Sequence, residues 1–363
     1  MSAPASAADQ AFMAAALSLA ARTLGDTWPN PAVGCVIVKD GVVVGRGWTQ
    51  SGGRPHAETE ALKRAGNDAA GATAYVTLEP CSHHGKTPPC ADALIAAKVA
   101  RVVAACTDPD PRVSGQGIAK LKAAGIAVEM GVGKAGAEQL NAGFFKRITK
   151  ERPLFALKTA TSLDGRIALA NGDSKWITGP IARRAVQSLR ARYDAILVGS
   201  GTVLADDPAL TCRLEGYTGR PKVRIILDRR LRTPFTAKVV TTAKDIPTWI
   251  VTSEVGPKAE ELAGRGVEII TAETADLTTA LNKTLAARGL TRVLIEGGGL
   301  VAGSFMKADL IDEIAWFRSP RIIGGDGLAA VGPLGASHLP AVPGFSRRET
   351  LTFSDDCLDL LAR

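Results

Sequence analysis

The chain has four histidines, and three of them lie close in sequence to two cysteines. His56-Ala57-Glu58 opens a helical stretch and Pro80-Cys81 closes a strand. Cys90 opens the next helix after Ser82-His83-His84-Gly85-Lys86-Thr87-Pro88-Pro89. One imidazole and two thiolates make a three-ligand Zn2+ set whose fourth position is left for water, as a catalytic site requires. Two helix N-termini aim their positive dipole ends at these side chains and favour the thiolate forms. Glu58 stands two residues past His56 and need not point the same way. A carboxylate there can carry a proton from water to a leaving amine. The rival arrangement is a closed structural site with His83 or His84 as fourth ligand, which leaves Glu58 without a task. Cys35, Cys106, Cys212 and Cys357 read as small buried hydrophobes.

A second constellation lies late in the chain. No Gly-x-Gly-x-x-Gly follows an early strand. Instead, strand Arg292–Ile295 runs into Glu296-Gly297-Gly298-Gly299 and then helix Leu300–Ala308. Such a turn lets backbone N–H groups approach a pyrophosphate. Two further segments follow strands: Thr161-Ser162-Leu163-Asp164-Gly165-Arg166, and Gly199-Ser200-Gly201-Thr202 with Val203 to Pro208 behind it.

The elements that must hold these groups alternate. Val33–Val38 and Val42–Gly45 are β-branched runs joined at Asp40-Gly41, a hairpin signal. Helix Ala57–Ala65, strand Ala74–Leu78, helix Ala91–Lys98, strand Arg101–Ala105, helix Ile118–Ala124 and a strand near Val128 follow, giving a sheet covered by helices. The Ala-rich start, Ala11 to Ala21, reads as a first helix and not as a signal peptide, since it lacks a basic leader. At Phe145–Pro153 the pattern breaks into a charged stretch, and a domain boundary is placed near residue 150. Beyond it the predicted strands are Leu154–Thr159, Ala195–Val198, Val223–Leu227, Thr248–Thr252, Val267–Ile270, Arg292–Ile295 and Glu313–Phe317. The predicted helices are Ile181–Arg192, Thr278–Arg288 and Leu300–Ala308. Two α/β domains in series, 1–150 and 151–363, suit the length.

Composition narrows the function classes. With 46% hydrophobic and 22% charged residues the chain is globular, and no uncharged apolar run is long enough to span a membrane. The net charge of +8 is scattered: residues 1–150 hold 16 basic and 12 acidic side chains, the rest 28 and 24. Scattered charge and 5% aromatics suit small anionic substrates better than a nucleic acid, which asks for a basic stripe or aromatic platforms. A nucleic-acid-editing deaminase with an accessory RNA-binding domain, and a binding or scaffold protein with a structural zinc and an inactive second half, remain as other classes. Six cysteines without an export signal suggest no disulfide framework and a cytoplasmic protein.

The His-x-Glu…Pro-Cys…Cys segment resembles the cytidine-deaminase-like superfamily of zinc deaminases. Eight residues separate Cys81 and Cys90, where cytidine, deoxycytidylate and tRNA adenosine deaminases have two. This loop, with Asn30-Pro31-x-Val33-Gly34 and Asp108-Pro109-Asp110-Pro111, is similar instead to the riboflavin-biosynthesis deaminases. The second constellation resembles the dihydrofolate-reductase-like reductase fused to that deaminase in bacteria. The chain is thus identified as a member of the bifunctional riboflavin-biosynthesis deaminase/reductases.

The resemblance implies a three-layer α/β/α deaminase domain and a dihydrofolate-reductase-like α/β domain whose NADPH crosses the strand ends. His56, Cys81 and Cys90 would bind Zn2+, Glu58 would shuttle protons, and Asn30 and Lys86 would meet the pyrimidine ribosyl phosphate. Asn30 is otherwise a turn residue and Lys86 a solvated loop lysine. His83 and His84 would shape the pocket. Ala160, Trp176, Thr202, Asp206 and the turn Gly297, Gly298, Gly299, Leu300, Val301, Ala302, Gly303 and Ser304 would contact NADPH; Trp176 is otherwise a core residue. Ser174, Arg190, Leu210, Arg213 and Glu296 would contact substrate, with surface charge as the other reading of both arginines. Lys158 and Glu296 are the candidates for moving protons as the ribose ring opens, or else form a structural ion pair. Arg229 would meet the 2′-phosphate of NADPH, or belongs to a plain surface turn. The substrates are small phosphorylated pyrimidines, with no nucleic acid and no membrane, and a homo-oligomer is expected.

Overall fold

The computed structural model describes residues 6–83, 88–111, 113–272 and 277–363. The chain divides into two compact units, Met1–Glu151 and Arg152–Arg363.

The first unit runs α1 (Ala7–Ala21), β1 (Gly34–Lys39), β2 (Val42–Trp48), α2 (Ala57–Ala65), β3 (Thr73–Val76), α3 (Cys90–Ala96), β4 (Arg101–Ala104), α4 (Gln116–Ala123), β5 (Ala127–Met130), α5 (Lys134–Leu140) and α6 (Ala142–Lys150). Its sheet has the order β2-β1-β3-β4-β5; β1 is antiparallel to both neighbours, and β3, β4 and β5 are parallel. Side chains of successive strand residues point to opposite faces. On one face, a Cβ on Gly34 would lie 1.9 Å from the Ala16 carbonyl oxygen of α1. On the other, a Cβ on Gly47, the partner of Cys35, would lie 2.0 Å from the Ala57 oxygen of α2. Only glycine allows either helix to sit so close, and the result is an α/β/α sandwich around Cys35, Ile37, Ala61, Val76 and Leu94.

Local sequence logic explains most of these elements and two corrections. The β3 strand ends at Val76, so Pro80-Cys81 lies in the loop beyond it and not at a strand end. The stretch read as a break from Phe145 is helical to Lys150: Gly143 and Phe144 are buried, while Arg147 and Lys150 stand in the last turn, where the helix dipole favours cations. Helix α5 also escaped the sequence reading.

The second unit runs β6 (Leu154–Thr161), β7 (Arg166–Ala168), α7 (Pro180–Ala191), β8 (Ala195–Gly199), α8 (Ser200–Asp206), β9 (Val223–Leu227), α9 (Lys238–Thr241), β10 (Thr248–Thr252), α10 (Pro257–Gly264), β11 (Glu268–Thr271), α11 (Leu277–Ala287), β12 (Arg292–Ile295), α12 (Gly299–Lys307), β13 (Ile311–Arg318), β14 (Leu328–Ala329), β15 (Ser346–Phe353) and β16 (Asp356–Ala362). Its main sheet is ordered β11-β10-β9-β8-β12-β6-β13-β16-β15. The first seven strands of that order are parallel, and the β16–β15 hairpin closes one edge antiparallel. The central strands carry buried apolar runs, such as Ala195–Gly199 and Val293–Ile295, as sheets covered on both faces require. Helices α8, α9 and α10 and the β15–β16 hairpin were not expected from sequence.

Among the described residues no helix is long and apolar enough to cross a membrane.

Candidate active sites

In the first unit, three backbone accidents of sequence converge. His56 caps the N-terminus of α2, Cys90 is the first residue of α3, and Cys81 lies on the loop between β3 and α3. His56 Nδ1 is 3.2 Å from Cys90 Sγ and 3.7 Å from Cys81 Sγ, and the Cys90 N–H donates to Cys81 Sγ at 3.3 Å. The three donor atoms lie within 4.8 Å of one another. The Cys90 thiol, donating to Cys81, and His56 outweigh burial and bring Cys81 down to about 4. Two cysteine sulfurs beside an imidazole are the chemistry of a zinc-binding donor set. His56 itself is raised, first by its hydrogen bond to Cys81.

Glu58 is on the first turn of α2 and only 4% exposed. Its charge acts on Cys35 at the centre of the sheet, and burial raises its own pKa. Asn30 is half-buried, with its backbone N–H donating to the Thr27 carbonyl at 3.0 Å. A Cβ on Gly53 would lie 2.0 Å from Asn30 Nδ2, so Gly53 makes room for that amide. His83 is exposed and outside the donor group. His84 and Lys86 lie outside the described residues.

The sequence reading missed Glu79. This buried carboxylate accepts from the backbone N–H groups of Asp108 at 3.3 Å, Gly115 at 2.9 Å, Gly117 at 3.0 Å and Ile118 at 3.3 Å. It ties the segment leading to Cys81 to the Asp108 loop and to the start of α4. Asp108 accepts from the Asp110 N–H at 2.8 Å, and burial pushes it up to about 6. An acid in the apolar run Leu78-Glu79-Pro80-Cys81 was the available signal.

In the second unit the site residues gather at the C-terminal ends of the parallel strands. The register pairs Ile295 of β12 with Leu157 of β6, so Glu296, the first residue past β12, stands beside Lys158 within β6. Glu296 is paired with Arg190 of α7 through Nε at 2.7 Å and Nη2 at 2.8 Å, and Arg190 Nη1 donates to the Thr211 carbonyl at 2.7 Å. The paired side chains are 11% and 9% exposed. Burial alone would raise Glu296, but Arg190, Lys158 and Arg213 together hold it below its usual value. Burial pulls Lys158 down, with Arg190 adding to the effect and Glu296 opposing it.

Two of the three glycines in the turn leave no room for a side chain. A Cβ on Gly297 would lie 2.8 Å from Val301, and one on Gly299 would lie 2.3 Å from the Ala329 oxygen. The bare backbone at the head of α12 fits a pyrophosphate. Leu300 is 81% exposed; Ala302 and Gly303 are buried, and the Ser304 hydroxyl donates to the Leu300 carbonyl at 3.0 Å. Ala160 is half-buried on β6, and Thr202 and Asp206 lie on α8, Asp206 facing Lys175 at 3.7 Å. Trp176 is no core residue: it is 60% exposed, with the Arg183 guanidinium 4.4 Å from its ring centre. Ser174 is half-buried, Leu210 is buried, and Arg213 is exposed with its N–H on Gln187 Oε1 at 2.8 Å. Arg229 is exposed, and its carbonyl accepts from Thr252 Oγ1 at 3.0 Å.

Comparison with known proteins follows the same division. A cytidine and deoxycytidylate deaminase zinc-binding region matches residues 6–106, and a RibD C-terminal domain matches residues 153–356. The riboflavin biosynthesis protein RibD of Escherichia coli (strain K12) is 44% identical over 365 residues, covering 97% of this chain and 99% of that protein. The chain belongs to the RibD family. RibD of Aquifex aeolicus (strain VF5) is 46% identical over 327 residues, 90% of each chain. The solved structure of Acinetobacter baumannii RibD superposes with a TM-score of 0.90 at 41% identity, covering 98% of both chains. A Thermotoga maritima diaminohydroxyphosphoribosylaminopyrimidine deaminase/5-amino-6-(5-phosphoribosylamino)uracil reductase gives a TM-score of 0.88 at 37% identity over 98% of both.

As a RibD-family member, the chain is a bifunctional riboflavin-biosynthesis enzyme with a zinc-dependent deaminase and an NADPH-dependent reductase. The fold is the expected pair, a cytidine-deaminase-like domain and a dihydrofolate-reductase-like one. The His-Cys-Cys donor set accounts for the zinc.

Proposed function

We propose that residues 1–150 deaminate 2,5-diamino-6-(5-phosphoribosylamino)pyrimidin-4(3H)-one. Residues 151–363 then reduce the ribosyl group of the resulting 5-amino-6-(5-phosphoribosylamino)uracil to a ribityl chain. The observation that carries the first step is a buried Glu58, its proton affinity raised by burial, beside the His56–Cys81–Cys90 donor set. Zn2+, when bound, supplies a nucleophile from water at neutral pH. Glu58 accepts the proton released and returns it to the departing amine, a role that the upward shift from its burial favours. Asn30 offers its amide to the pyrimidine edge in the space that Gly53 leaves, and Lys86 serves the ribose phosphate as a point charge.

In the reductase, NADPH supplies the hydride. Lys158, held below its usual pKa, is the better acid for protonating the ribose ring oxygen as the C1′ bond opens. Glu296 keeps its charge beside it, and Arg190 fixes that carboxylate through two parallel hydrogen bonds. Arg213, Ser174 and Leu210 complete the substrate side; Ala160, Trp176, Thr202, Asp206 and the Gly297–Ser304 turn serve the cofactor. We further propose a cytoplasmic homo-oligomer that uses small phosphorylated pyrimidines and neither nucleic acid nor membrane. The scattered charge supports this reading.

The test is to supply the diaminopyrimidinone ribosyl phosphate and follow ammonia release and NADPH oxidation separately. Ammonia without NADPH, and NADPH oxidation only after deamination, are the expected results. Reduction before deamination, or ammonia release that zinc removal leaves intact, would overturn the assignment.

A further inference from the structure

The strand order of the reductase unit sets the direction in which its cofactor must lie. The C-terminal ends of β9, β8, β12 and β6 form one rim, in that order, all parallel. The glycine turn leaves β12, and Lys158 lies within the neighbouring strand β6, level with the residue that follows β12. A pyrophosphate held over the turn with the nicotinamide toward Lys158 would direct the adenosine half the other way along this rim, toward β8 and β9. Strands are about 4.8 Å apart, so these two span the width of a ribose and its phosphate.

Three cations follow β9: Arg229, Arg230 and Arg232. The structure separates them. Asp228 is buried and accepts from both the N–H and the hydroxyl of Thr233, each at 2.7 Å, while the Leu231 N–H donates to the Asp228 carbonyl at 3.0 Å. These bonds close residues 228–233 into a tight turn, and Leu231, 4% exposed, anchors it in the core. Register pairs Leu227 with Gly199, so the turn folds beside Ser200, the first residue after β8. There Arg232 Nη2 donates to Ser200 Oγ at 2.8 Å, two residues from Thr202. Arg229 ties the turn to β10 through its backbone, its carbonyl accepting from Thr252 and Ser253, and its side chain is exposed.

We infer that Arg232, steadied by Ser200, is the cation that reads the 2′-phosphate of NADPH and sets the preference over NADH. The inference rests on the reductase reading above and replaces Arg229 in that role. A guanidinium already oriented by one hydrogen bond meets phosphate oxygens with its remaining N–H groups at little further cost in side-chain entropy.

Calorimetric binding of adenosine 2′,5′-bisphosphate and of 5′-AMP to the full zinc-loaded chain tests this without turnover. Arg232→Ala is expected to weaken the bisphosphate by roughly tenfold to a hundredfold, the range of a charged hydrogen bond, and AMP by less than about twofold. Arg232→Lys is expected to fall between, and Arg229→Ala to leave the ratio unchanged. Melting temperature and deaminase rate check that each variant is folded. Equal weakening of both ligands by Arg232→Ala, or loss of the preference in Arg229→Ala instead, overturns the inference while leaving the reductase reading intact. A wild-type chain that binds neither NADPH nor the bisphosphate overturns the reductase reading itself.

Discussion

Glu296→Gln tests the charge arrangement of the reductase site most directly. The Arg190–Glu296 pair is nearly dry, its two side chains 11% and 9% exposed and joined by two bonds of 2.7 and 2.8 Å. Removing one partner of a buried pair costs about 3–5 kcal/mol, because the other charge stays buried. Glutamine keeps one oxygen to accept from Arg190, which argues for the lower end, about 3 kcal/mol. In a unit of this size each kcal/mol moves the midpoint by about 2–4 °C, so the reductase transition should fall by roughly 6–12 °C. The sign with pH follows from the lowered pKa of Glu296. Its stabilising effect is complete above the ordinary glutamate value of 4.5 and is lost as pH falls through the lower folded value. The gap between wild type and variant should therefore be largest at neutral pH and close in acid. Scanning calorimetry measures both. Glu296→Leu with Arg190→Met, which removes the two charges together, should melt well above Glu296→Gln yet oxidise no NADPH. A Glu296→Gln protein melting within a degree of wild type, or a double variant no more stable than the single one, would refute the reasoning that a dry, mutually dependent pair sits here.

Three further outcomes are expected. Cys81→Ser or Cys90→Ser should abolish zinc binding and deamination while reduction of supplied aminouracil substrate stays measurable; metal analysis and the two separate assays decide it. Glu58→Gln should keep about one zinc per chain and lose at least ~10²-fold in deamination rate, the scale of general acid–base catalysis; loss of metal as well would make Glu58 a ligand or a support. Because Lys158 is lowered from the usual 10.5, wild-type reduction should decline as pH rises through that lower value, since the acid form is lost. Lys158→Met should remove this alkaline limb along with most of the rate, and an unchanged pH profile would exclude Lys158 as the proton donor.

The amino-acid sequence by itself picked out the candidate zinc set, and the fold brings its donor atoms within 4.8 Å of one another. His56 and Cys90 are read from their places at helix starts, and Glu58 from its two-residue offset. The central strands of the second unit were equally legible, since Val223–Leu227, Thr248–Thr252 and Arg292–Ile295 are largely buried and mostly apolar. Where burial is one-sided or absent, the signal fades. Strand β15 is almost wholly exposed, so Ser346-Arg347-Arg348-Glu349-Thr350 carries no apolar alternation, and the cations of α6 hid a helix whose buried residues are Gly143 and Phe144. Only the tertiary structure decided which distant groups meet. Arg190 reaches Glu296 across 106 positions, Arg232 reaches Ser200, and four backbone N–H groups from Asp108 to Ile118 converge on Glu79. Those meetings follow from a strand order, β9-β8-β12-β6, that is not the order of the chain. Spacing along a sequence records the period of a helix or a strand, whereas side-by-side placement of strands is settled by how the whole sheet closes its core.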